Sequence, residues 1–190
     1  MATFLSGSIG ASLSVDRRIH LALELAQCIQ YLHRKQIFCS SIHPNSIVIT
    51  SNQHIKLNVF NANDDFLYVS PERLLRYRNV LPFLDNIYAF GLVLYRLFHT
   101  DPNEIEAFHA GKWLLPSVQN INDIDVTKAY YLDYVRQNHS TIAFQIPRIN
   151  QRVDNIIEKL IIACCSVNVK QRPGMNAIIS ILNTVKVDQG

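Results

Sequence analysis

The chain has 190 residues, 48% of them hydrophobic and 17% charged, and a formal net charge of +3. That balance suits one folded domain with a sizeable core and excludes a disordered polyelectrolyte. Lysine and arginine form no long run and no stripe interleaved with aromatics, and no apolar run is long enough to span a bilayer, so neither nucleic acid nor a membrane is an expected partner.

The first residues lack the basic flank and apolar stretch of a secretory leader. Cys28, Cys39, Cys164 and Cys165 fall at no metal-site or disulfide spacing. A reducing, cytoplasmic setting is therefore expected, with no metal and no cofactor.

Ser14 is placed to cap a helix that runs to about His33. Apolar side chains from Ile19 to Leu32 occupy almost every face, so the helix is expected to be mostly buried, with His33 half-exposed at its end. Arg34 and Lys35 sit where a helix dipole favours cations. The β-rich runs Ile47–Ile49 and Ile55–Leu57, joined by Thr50–Gln53, read as a hairpin. A polar loop, Asn61–Asp65, then leads to a short helix with Ser70 as cap and Pro71 in its first turn.

Asp85 to Phe98 is apolar all round, the mark of a helix through the middle of a domain, with Asp85 the expected N-cap. Gly91 inside it weakens the helix by about 1 kcal/mol relative to alanine and implies a close neighbouring backbone. Between Thr100 and Pro147 the pattern loosens, with amphipathic pieces at Glu104–Trp113 and Asp125–Arg136. Tyr130, Tyr131 and Tyr134 cluster on the second, either as packing or as a partner-binding face. Two further helices, Arg152–Ser166 and Asn176–Val185, close the chain, and no repeat or linker divides residues 1–190.

Four segments in this order resemble the C-terminal lobe of a protein kinase of the tyrosine-kinase or tyrosine-kinase-like branches. LALELAQCIQYLH is similar to the helix before the catalytic loop. VSPERLL resembles the A-P-E segment, LDNIYAFGLVLYRL the central helix, and ACCSVNVKQRPGM the final C-x-x-x-x-P-x-x-R-P signature. SGSIGA, near the start, resembles the segment just past the hinge between lobes. The implied fold is mainly α, a helical kinase C-lobe with a small β-hairpin and no N-lobe. The resemblance implies a buried ion pair between Glu72 and Arg172, and a hydrogen bond from Asp85 to the backbone of Cys39–Ser41.

The resemblance implies no phosphoryl transfer, which needs a loop aspartate as base and an Asn and Asp to hold magnesium. Aligned on Pro44, the H-R-D triplet becomes Cys39-Ser40-Ser41, the metal-binding Asn becomes Ser46, and D-F-G becomes Val59-Phe60-Asn61. Ser41 is no base near neutral pH, and a valine cannot ligate magnesium. Cys39 and His43 are the one close nucleophile–base set, read as a core-packed thiol beside a surface, non-catalytic histidine.

The expected function is a catalytically inactive scaffold or regulator that binds a protein or peptide. Ile37, Phe38, Phe60, Tyr130, Tyr131 and Tyr134 form the candidate interaction surface. The architecture is similar to that of KIND domains, which implies a partner such as a formin-like tail helix. One alternative is the C-terminal part of a larger or two-chain pseudokinase that regulates a kinase allosterically; another is an unrelated enzyme on the same scaffold. The oligomeric state stays open.

Overall fold

A computed structural model describes residues 3–4, 13–40, 42–59, 68–74, 81–98, 155–166 and 168–185. Its elements are β1 (Thr3–Phe4), α1 (Val15–Arg34), a 3-10 turn (Pro44–Ser46), β2 (Ile47–Ile49), β3 (Ile55–Leu57), α2 (Pro71–Leu74), α3 (Pro82–Phe98), α4 (Asn155–Cys164), a second 3-10 turn (Val169–Gln171) and α5 (Met175–Thr184). The described chain is thus mainly helical with a small antiparallel sheet. The expected helices at Glu104–Trp113 and Asp125–Arg136 and the loop Asn61–Asp65 lie outside the described residues.

Helix α1 begins as its sequence suggests, with Ser14 Oγ accepting from Arg17 N–H at 3.3 Å. It is less buried than expected. Leu21, Ala22, Leu25, Ala26 and Ile29 form one sunken stripe facing α3 and α5, whereas Leu23 and Cys28 are half-buried and Tyr31 is exposed. Among the described elements only the short hairpin covers part of the remaining surface, too little to bury a whole turn of helix.

Arg18 belongs to the buried stripe, and its place there needs a reason. Its Nε donates to Leu13 O at 3.0 Å and its Nη1 to Phe98 O at 3.4 Å, the last carbonyl of α3. A helix end leaves such carbonyls without an internal donor, so the guanidinium satisfies one of them inside the core. Burial lowers the Arg18 pKa from its ordinary value.

The hairpin pairs Ile47 with Leu57 and Ile49 with Ile55. The turn places Gln53 at φ 62°, with Gln53 N–H donating to Thr50 O at 2.8 Å. β1 adds a third strand, Thr3 opposite Ile49, which two residues of pattern could not reveal.

Helix α3 is the axis of the core. From Asp85 to Phe98 every residue but the half-buried Arg96 is buried. It starts three residues earlier than expected, with Pro82 as its first residue and Leu81 O accepting from Leu84 N–H at 2.9 Å. Asp85 is therefore in the first turn and is not the N-cap. Gly91 lies against the end of α4: a Cβ there would stand 2.6 Å from Cys164 Cβ and 2.8 Å from Cys165 Sγ. The absent side chain lets α3 and α4 meet closely, and α5 closes the same core against α1.

Candidate functional site

The loop between α1 and β2 is built first by the way α1 ends. Gln36 adopts φ 57°, its N–H donates to His33 O at 2.9 Å, and Ile37 N–H donates to Leu32 O at 2.9 Å. These two reversed bonds are a Schellman motif, which normally places glycine at the left-handed position. The chain leaves the helix sharply and projects Ile37 and Phe38 outward, both exposed.

Cys39 is then held by α3. Asn86 Oδ1 accepts from Cys39 N–H at 3.1 Å while Asn86 Nδ2 donates to Cys39 O at 2.7 Å. This two-point clamp fixes the amide's orientation, so Oδ1 is the atom that faces His33 Nε2 at 3.1 Å. His33 must donate that bond, which assigns the proton to Nε2. Burial lowers the His33 pKa, with the Asn86 bond acting in the opposite sense.

At Cys39, the contact expected of Asp85 is made by Asn86. Asp85 turns the other way: Oδ1 accepts from Ser70 N–H at 2.9 Å and Oδ2 from Arg73 Nη1 at 2.9 Å. Arg73 Nη1 also donates to Ser40 O, so among the described residues Asp85 reaches the loop through Arg73. The physical reason is the early start of α3, which aims residue 86 at the loop and residue 85 at α2. Ser70 is buried before α2, but its Oγ has no hydrogen-bond partner among the described residues, so the expected side-chain cap is not made.

Glu72 and Arg172 meet. Arg172 Nη1 donates to Glu72 Oε1 at 2.5 Å and Nη2 to Oε2 at 2.9 Å, a two-pronged pair between buried side chains. Arg172 also donates through Nε to Ser166 O at 2.9 Å and through Nη1 to Leu84 O at 3.0 Å, and lies 5.1 Å above the Tyr88 ring. One guanidinium therefore ties α2, the start of α3 and the chain after α4 together.

The positions read as former catalytic ones hold no reactive group among the described residues. Ser46 Oγ donates to His43 O at 2.8 Å and accepts from His43 N–H at 3.0 Å, so the hydroxyl serves the 3-10 turn. Val59 is half-buried and packs against the core. His43 is buried, against the expectation of a surface position, with its ring 6.2 Å from that of Tyr68. Burial, and secondarily Cys28, push the Cys39 thiol up to about 11, which leaves almost no thiolate near neutral pH. Among the described residues no three His, Cys, Asp or Glu side chains are grouped to hold a metal ion. No described helix is long and apolar enough to cross a membrane.

Of the expected interaction surface, Ile37 and Phe38 are exposed beside this loop; Phe60, Tyr130, Tyr131 and Tyr134, like Ser41, lie outside the described residues. Sequence reasoning missed that Leu81 and Phe83 join them. His33 bridges the two segments, 5.6 Å from the Phe38 ring and 6.4 Å from that of Phe83. It also missed Asn86, for which the only signal was an amide entering an otherwise apolar helix. No family model matches the chain, and no curated protein matches it.

Proposed function

We propose that the chain is a catalytically inactive module with the fold of a protein-kinase C-lobe, and that it acts by binding a protein or peptide. The observation that carries this reading is the chemistry of the loop from Cys39 to Ser46. Among its described residues, the Cys39 backbone is bound by Asn86 of α3 and the Ser46 hydroxyl is bound to the His43 backbone, while the apolar pair Ile37–Phe38 faces outward. A phosphoryl-transfer loop has the reverse arrangement, with acids and amides aimed at metal and hydroxyl. The Glu72–Arg172 pair, which draws α2 against the chain after α4, supports the kinase-like part of the reading.

A thermal-shift assay with ATP, with and without magnesium, tests the first half. The expected result is no magnesium-dependent shift, and a clear one overturns the inactive reading. For the second half, candidate partners are compared on the wild type and on Ile37→Ser/Phe38→Ser. Binding that the double variant loses supports an interaction module.

A further inference from the structure

Among the described residues six large apolar side chains are exposed, and four of them lie on two segments that His33 bridges: Ile37, Phe38, Leu81 and Phe83, each between 38% and 51% exposed. They come from the chain that leaves α1 and from the start of α3. A monomer scatters such side chains singly, so this concentration marks a contact surface.

Among the described residues, the charges on these segments have one sign. Arg34 and Lys35 are exposed, and neither faces a carboxylate among the described residues; Lys35 Nζ instead lies 6.0 Å from the centre of the Tyr31 ring. Residues 31–40 and 81–84 contain no acid, and Asp85 is buried against Arg73.

From the apolar floor and the cationic rim we infer that this surface docks an acidic amphipathic peptide of another protein, with aliphatic or aromatic anchors and Asp or Glu beside them. The inference rests on the proposed binding role and specifies its ligand. The anchors seat on Phe38, Phe83 and Ile37, and the acids face Arg34 and Lys35. A second copy of the chain is disfavoured, because a two-fold contact would bring two basic rims together. A lipid surface is disfavoured because Phe38 and Phe83 lie more than half sunk, as a floor for a ligand and not as wedges for a bilayer.

The test is selection of random peptides of about 15 residues, displayed on phage, against the full chain at low salt. Enrichment of Asp or Glu among apolar anchors is expected. A selected peptide should bind Arg34→Glu/Lys35→Glu on the order of tenfold more weakly, less so at high salt. Ile37→Ser/Phe38→Ser should abolish binding while far-UV circular dichroism shows the helical fold retained at the assay temperature.

Selected peptides with no acidic bias that still need Ile37 and Phe38 overturn the ligand chemistry and leave the binding role standing. Binding indifferent to both variants places the site elsewhere and overturns the inference. No enrichment at all overturns both. Equally patch-dependent binding to phosphatidylcholine–phosphatidylserine vesicles, or dimerisation abolished by Phe38→Ser, assigns the surface to a membrane or a second copy and overturns it as well.

Discussion

Replacing Arg172 by alanine probes the most demanding contact in the molecule. The substitution leaves the Glu72 carboxylate buried without its partner and removes the donors to Leu84 O and Ser166 O. Loss of one member of a buried pair destabilises by about 3–5 kcal/mol, because the remaining charge keeps its desolvation penalty and loses the attraction that offset it. The two carbonyls and the contact with Tyr88 place the expected value at the upper end, about 5 kcal/mol. A domain is stable by roughly 5–15 kcal/mol, so this variant should stand close to unfolding at room temperature.

Urea denaturation followed by far-UV circular dichroism measures the loss, and the m-value shows whether the transition stays cooperative. A double variant, Glu72→Leu with Arg172→Met, separates the pair from its parts. A buried pair roughly breaks even against apolar residues of similar volume, so the double variant should recover most of the stability lost by Arg172→Ala. A cost below about 1 kcal/mol for Arg172→Ala would show that water reaches the pair, and would refute its role as the tie between α2 and the chain after α4.

Gly91→Ala should destabilise by roughly 1–2 kcal/mol in the same assay, because overpacking against Cys164 Cβ outweighs the helix propensity gained. An unchanged midpoint would mean that α4 moves away at no cost. Gln36→Gly should stabilise by about 1 kcal/mol, since it relieves a left-handed residue at the end of α1, and a loss of stability would contradict that account. Burial acts to raise the Glu24 pKa, but the hydrogen bonds from His54 and Ile55 N–H, with the fields of His20 and His54, bring it below its ordinary value. A carboxylate shifted down contributes stability above its unfolded pKa and loses it as pH falls through the folded one. The stability gap between wild type and Glu24→Gln should therefore shrink as pH falls below about 5 through the folded pKa, and a gap unaffected by acidification would refute the coupling.

The helices and the hairpin were legible because each rests on a periodic pattern. α3 is apolar on every face and could only run through a core, and the β-rich runs Ile47–Ile49 and Ile55–Leu57 with a polar turn between them fit a hairpin. Boundaries were less legible. Asp85 is a good cap residue, yet Pro82 starts the helix earlier, because proline suits a first turn that needs no internal donor. That difference of three residues exchanged the roles of Asp85 and Asn86. Arg18 was legible in principle: it shares a helical face with Leu21, Ala22 and Leu25, and a cation on an apolar face requires a buried acceptor. Which acceptor depends on where α3 ends, which no local pattern in α1 contains.

Binding surface and catalytic loss have one structural cause in this reading. Asn86 takes both backbone atoms of Cys39, and Arg73 takes the carbonyl of Ser40, so the loop is anchored to α3 through groups that carry no chemistry. An anchored loop supports the outward turn at Gln36 and keeps Ile37 and Phe38 in water. Two large apolar side chains held partly exposed forgo part of the roughly 1.5–3 kcal/mol that full burial of each would contribute, a loss that the rest of the core offsets. The Glu72–Arg172 pair and the close contact of α3 with α4 hold α2, α3 and the chain after α4 together beneath that anchor's helices. The two sets of residues should therefore respond differently to change: substitutions at Ile37 and Phe38 alter binding more than stability, and substitutions at Arg172 or Gly91 alter stability first.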